Sequence, residues 1–212
     1  MTVVGDPIAL GLTGSISHPT HNVTGFTISS PSLAAKRLQL LQSVVPSLRK
    51  VAYFWEPANP LAKIFEANVR RAANALGIEL ISLPVKSAAD IDDAFNRAEQ
   101  DRAKAVLAEA DPLILRFTSS IVDHCLLFGL PSMHAWAIEV RNGALMSYGP
   151  PSIENNSGAA TYIDRILKGT KVSELPFVEP TEIKLVINLR TAHSLGVVIP
   201  PAVLVRADEV VQ

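Results

Sequence analysis

Four short polar segments each follow an apolar run, which is where side chains able to orient a small molecule tend to gather. They are Glu56 to Pro60, Glu109 to Pro112, His134 to Trp136 and Tyr148 to Pro151. Glu56, Asn59 and Asp111 offer carboxylate and amide groups, Trp136 a large aromatic face, and Tyr148 a ring with a phenolic hydroxyl. Asp6, in an early Val-Gly-Asp-Pro stretch, adds another carboxylate able to hold an amino group. Each has a plainer structural role beside this one. The Glu56–Asn59 loop equally suits a proline-rich turn that starts a helix, and Asp6 a turn. Asp111 precedes Pro112 as a helix N-cap does, a role compatible with touching a ligand. Trp136 can simply pack, and Tyr148 can mark a chain crossing.

Chemistry of a catalytic kind finds less support. G-x-S-x-G, the phosphate-cradling G-x-x-x-x-G-K and G-x-G-x-x-G are all missing, and Gly11–Gly14 lacks a third glycine. The five histidines are scattered, with only His134 near a proposed ligand end, where a hydrogen-bonded edge histidine is the simpler reading. The single cysteine, Cys125, lies in an apolar stretch and reads as a small buried hydrophobe. The sequence therefore predicts a non-enzyme with no cofactor and no metal.

These segments need a framework, and the pattern around them supplies one. Lys50–Trp55, Ile78–Val85, Ala105–Glu109, Leu130–His134 and Ala144–Tyr148 read as strands. Between them, Leu61–Leu76, a stretch ending near Gln100 and capped by Ser87 or Asp90, and one from Asp111 to Gly129 read as helices. Pro31–Val45, Ser152–Lys168 and Leu189–Leu195 are further helices and Ile183–Asn188 a further strand. Thr2–Gly5 is a strand candidate, Asp6–Ser15 a short helix or loop, Asn22–Phe26 an extended crossing, and Arg206 to Glu209 a charged surface turn. Strands alternating with helices imply right-handed βαβ units, hence an α/β, doubly wound, mainly parallel sheet with ligands beyond the strands' carboxyl ends.

Composition agrees with a packed fold. Of 212 residues, 48% are hydrophobic and 18% charged, and 19 basic against 20 acidic residues leave a formal charge of −1. With no basic stripe, nucleic acid is not an expected partner. No apolar run approaches the ~20 residues of a membrane span, and the first residues lack the basic and apolar regions of a secretory signal.

Several motifs, in one order along the chain, carry a family resemblance. They are Val4-Gly-Asp-Pro7, Asn22-Val-Thr-Gly25, Trp55-Glu-Pro-Ala-Asn-Pro60, Ala110-Asp-Pro112 and Gly143-Ala-Leu-Met-Ser-Tyr-Gly149. Ile166-Leu-Lys-Gly169, Leu185-Val-Ile-Asn188 with Thr191-Ala192, Ile199-Pro-Pro201 and Arg206-Ala-Asp-Glu209 follow. Together they resemble the substrate-binding proteins of ABC transporters, of the type I periplasmic-binding-protein fold that also serves aromatic and branched amino acids. The resemblance implies two Rossmann-like lobes closing on a small organic solute, an amino acid or an aromatic or apolar carboxylate, for delivery to a membrane ABC permease. It also implies a periplasmic location. Residues 28–149 plus 182–212 would form a complete lobe two, and 1–27 plus 150–181 a partial lobe one. Ala137 and Ile138 stand where relatives tend to carry polar residues, making the cleft more apolar. The resemblance further implies missing βα units before Val4, whose absence would leave an apolar face of lobe one either covered by a second copy or poorly ordered. The alternative is accordingly a shortened, dimeric lobe with a structural role and no transport activity.

Overall fold

The computed structural model describes residues 4–27 and 31–212. Thr2 and Val3 of the first strand candidate lie outside them. The chain divides into two compact units, residues 31–149 with 184–212, and residues 1–30 with 150–183.

In the larger unit the elements run α1 (Pro31–Val44), β1 (Lys50–Trp55), α2 (Ala62–Ala75), β2 (Glu79–Pro84), α3 (Ala89–Gln100) and β3 (Ala105–Ala108). Then come α4 (Pro112–Arg116), α5 (Thr118–Leu127), β4 (Ser132–His134), α6 (Ala137–Arg141) and β5 (Met146–Gly149). The second segment of this unit adds β6 (Lys184–Asn188), α8 (Leu189–Ser194), α9 (Pro201–Leu204) and β7 (Glu209–Val211), with α7 (Ser152–Leu167) belonging to the smaller unit.

The seven strands form one sheet in the order β2-β1-β3-β4-β5-β6-β7. Pairing is parallel except between β5 and β6, where Ser147 faces Val186 in antiparallel register. Strand alternation sends side chains to two separate cores. From β1, Val51, Tyr53 and Trp55 join Leu38 and Leu41 of α1, Val69 of α2 and Ala192 of α8. Ala52 and Phe54 face the other way, against Ile91 and Phe95 of α3 and Ile121 of α5. Helices thus cover both faces, which is why β3, and β1 beyond Lys50, are continuous apolar runs instead of alternating.

Four sequence expectations need correction. The helix expected from Asp111 to Gly129 is broken at Phe117, whose N–H bonds back to Leu113 and Ile114 before α5 starts afresh. The expected surface turn at Arg206–Glu209 leads into β7, which pairs with β6 and is pinned where Asp208 accepts the Leu185 N–H at 2.7 Å. Neither Ser87 nor Asp90 is the N-cap of α3. That position is Ala88, while the Asp90 carboxylate reaches back to the Lys86 and Ser87 N–H groups at 2.8 and 2.9 Å. β4 is shorter than expected, because Pro131 has no N–H to give a ladder.

The smaller unit is built on short extended contacts. Val4 bridges Thr27, and Phe26 bridges Val178. Thr24 Oγ1 donates to the Leu175 carbonyl at 2.6 Å, and Tyr162 of α7 donates to that of Pro176 at 2.9 Å. The Phe26 ring packs 5.1 Å from the Tyr162 ring, over Gly158, where an added Cβ would lie 2.5 Å from it.

Candidate functional site

The chain passes from β1 to β2 on one side and returns through α3 to β3 on the other, so β1 and β3 border the switch point of the sheet. A crevice at such a point is the usual place for a ligand on an open α/β sheet. The two loops that leave it are tied together. Asn59 Nδ2 donates to Asp111 Oδ2 at 2.7 Å, while Asn59 Oδ1 accepts the Leu61 N–H at 2.9 Å ahead of α2. Asp111 Oδ1 caps α4 by accepting the Leu113 N–H at 2.7 Å. Beside this pair, Glu109 accepts from the Tyr53 hydroxyl and from the Ala110 N–H. Burial, then the neighbouring Glu109 carboxylate, pushes the Tyr53 hydroxyl far above its ordinary value, so it stays a donor.

Next to them Arg37 reaches from α1 to the ends of β4 and β5. It is 6% exposed, and its Nε donates to the Tyr148 carbonyl at 2.7 Å. Burial lowers the guanidinium's affinity for its proton, opposed by the more distant Glu109 and Glu139, and an arginine keeps its charge all the same.

The loop after β4 is held from below by Glu139, which is fully buried. One of its oxygens accepts from His134 Nδ1 at 2.8 Å, and the other from the N–H groups of Ala135 at 3.2 Å and Trp136 at 3.0 Å. Burial alone would raise the Glu139 carboxyl. The His134 ring and the two N–H groups outweigh it and hold the group below the usual carboxylate range. Among the described residues, His134 Nε2 and Ser147 Oγ, register partners on β4 and β5, are buried without a hydrogen-bond partner.

The six candidate residues fall into distinct places. Asn59 and Asp111 are bonded to each other, and Trp136 and Tyr148, both half-buried, follow β4 and close β5. Glu56 turns back on its own loop, accepting the Ala58 N–H at 3.1 Å. Asp6 belongs to the smaller unit and holds a turn, taking the Ile8 and Ala9 N–H groups, both at 3.0 Å. Arg37, Glu139 and Tyr53 carry much of the charge and hydrogen bonding but gave no local signal. Arg37 sits in an ordinary amphipathic helix, and Tyr53 lies inside an apolar run. His134, expected at an edge, is inside the sheet and fully buried. Among the described residues no His, Cys, Asp and Glu side chains form a metal-binding group, and no helix is long and apolar enough to cross a membrane.

The smaller unit has a recess of its own, of about 480 Å³, between α7 and the Asn22–Phe26 segment. Its walls include Leu12, Val23, Phe26, Tyr162, Ile163 and Ile166, an apolar set without a charged group to orient a solute.

Comparison with known proteins is decisive at the level of family. The family model described as ABC transporter substrate binding protein matches residues 1–211. The chain belongs to that family. A tyrosine-binding protein of Clostridioides difficile is 22% identical over 92% of this chain, which spans 56% of that relative's length. An ABC domain from Streptococcus pneumoniae, solved in complex with L-Trp, superposes with a TM-score of 0.91 at 23% identity, over all of this chain and 70% of that one. A conserved domain protein from Vibrio cholerae superposes with a TM-score of 0.90 at 25% identity, over 98% and 69%. The fold of this substrate-binding protein is therefore the type I periplasmic-binding-protein-like α/β fold, with its seven-stranded, mostly parallel sheet.

Proposed function

We propose that this substrate-binding protein is the solute-binding component of an ABC uptake system and takes an aromatic or apolar amino acid or carboxylate at the strand ends of its larger unit. The observation that carries the reading is that Arg37, Glu109 and the Asn59–Asp111 pair lie at these strand ends, with Trp136 following β4. A few fixed polar groups next to an aromatic face suit a ligand with a charged head and an apolar body. Ile138, after Trp136, is exposed, while Ala137 packs inward against Val122, Val140 and Ala144. The tyrosine and tryptophan named for two relatives point to the same class of solute. On this reading the protein works outside the cytoplasmic membrane, breaks no bond in its solute and hands it to a membrane permease.

Thermal melting against the L-amino acids and against indole and phenyl carboxylates tests it. A ligand at 100 times its Kd adds about 2.7 kcal/mol, which for a protein of this size raises Tm by about 5–10 °C. A shift confined to the aromatic members is expected, and no shift from any of them overturns the reading. Sedimentation of the same sample tests the homodimer.

A further inference from the structure

Among the described residues, Arg37 is the only lysine or arginine in the buried set, and no carboxylate lies within 4.0 Å of its guanidinium. The carboxylates that act on it from further away are already engaged. Glu109 takes the Tyr53 hydroxyl and the Ala110 N–H, and Glu139 takes His134 and two backbone N–H groups. A buried cation with no adjacent counter-charge is costly, and arginine cannot escape the cost by losing its proton. Its single hydrogen bond to a described residue, from Nε to the Tyr148 carbonyl, fixes the side chain without using the terminal fork. That fork matches the two oxygens of a carboxylate.

Its surroundings are equally specific. A Cβ built on Gly149 would stand 3.4 Å from Arg37 Nη2 and 2.0 Å from the Ala135 carbonyl oxygen. Glycine at this position therefore lets the Ala135 carbonyl pack against the end of β5 beside the guanidinium, where any side chain would crowd both. Towards β3, Glu109 is half-buried and negative, with acceptor capacity beyond its two bonds.

We propose that Arg37 binds the α-carboxylate of a zwitterionic amino acid through its two terminal nitrogens, with Glu109 receiving the ammonium group. This rests on the reading of the strand ends as the solute site and narrows the solute from carboxylates in general to free amino acids. A residue acting only as a strut between α1 and Tyr148 would affect stability and leave ligand discrimination alone.

The test is titration calorimetry on the whole chain with L-tryptophan, L-tyrosine, L-tryptophanamide and indole-3-propionate, on wild type and on Arg37→Met, Arg37→Lys and Glu109→Gln. Wild type should bind L-tryptophan about 100-fold more tightly than its amide, since the amide leaves a buried charge unpaired. Arg37→Met should abolish that preference, weakening L-tryptophan about 100-fold and the amide less than about threefold. Arg37→Lys, which keeps charge but not the fork, should fall between, and it serves if the methionine variant fails to fold. Glu109→Gln should weaken L-tryptophan and spare indole-3-propionate, which has no ammonium group. Equal binding of acid and amide by wild type overturns the proposal while leaving the solute site standing. So does a variant that melts earlier yet keeps the preference. Failure of wild type to bind either L-tryptophan or L-tyrosine overturns the proposal and the reading beneath it together.

Discussion

Replacing Glu139 with alanine would remove the acceptor for two buried donors, His134 Nδ1 at 2.8 Å and Ala135 N at 3.2 Å, and for the half-buried Trp136 N at 3.0 Å. Glu139 and His134 both have 0% exposure, so the orphaned His134 donor would have no direct access to bulk solvent. Removing one partner of a buried, charged, hydrogen-bonded group costs about 3–5 kcal/mol. In a chain of 212 residues each kcal/mol moves the melting temperature by about 2–4 °C, so Glu139→Ala should lower Tm by about 6–20 °C at pH 7. Circular dichroism of the melt measures it, and a loss under about 3 °C would refute this account of Glu139.

The same residue makes a claim about pH that separates charge from shape. Its carboxyl titrates below the usual range in the folded protein, so the unfolded chain binds the proton more readily. Its stabilising share is then complete above the unfolded value of about 4.3 and is lost as the pH falls through the lower folded value. Glu139→Gln keeps the shape and removes the titration. The gap in Tm between wild type and this variant should be widest near neutrality and should close on acidification below about pH 4. A gap of constant width from pH 7 to pH 3 would show that the charge does not stabilise the fold.

Three further outcomes follow from close packing. Gly149→Ala places a methyl 2.0 Å from the Ala135 carbonyl oxygen, so backbone must move; a loss of about 1–3 kcal/mol in urea unfolding is expected, and an unchanged midpoint would contradict the approach. Gly158→Ala sets a methyl 2.5 Å from the Phe26 ring and should disturb its contact with Tyr162, read in the near-ultraviolet dichroism, which an undisturbed packing would leave unaltered. Cys125 is 3% exposed, and burial pushes its thiol up to about 12, so a disulfide reagent should modify it only as fast as the chain opens; prompt reaction in the folded protein would refute its burial.

What could be read from the sequence follows the range of the forces involved. β1 and β3 are short apolar runs closed by polar turns, and periodicity alone reveals them. The break at Phe117 has neither glycine nor proline to announce it. β7 has three residues, Glu209–Val211, and exists because β6 offers it an edge. The antiparallel entry of β6 depends on where the chain re-enters the larger unit after α7, which no local pattern encodes. At the candidate site, Asp111 was visible because a residue before proline at a helix start has one favoured use. Arg37 was hidden because its meaning comes from Tyr148 and Gly149, more than a hundred positions away.

That contrast says how such a site is assembled. Local rules place the strand ends and the caps, and the caps already bring carboxylates such as Asp111 to the rim, because helix N-termini favour negative side chains. A site made this way is supplied with acceptors and backbone N–H groups but lacks a cation. The positive partner for an anionic solute group has to come from elsewhere in the fold, and α1, which packs beneath the ends of β4 and β5, delivers one. Arg37 is buried with no carboxylate beside it among the described residues, and a bound carboxylate would supply its counter-charge. Affinity then draws on a charge that is already desolvated and already positioned, so the ligand would not bear the cost of ordering it.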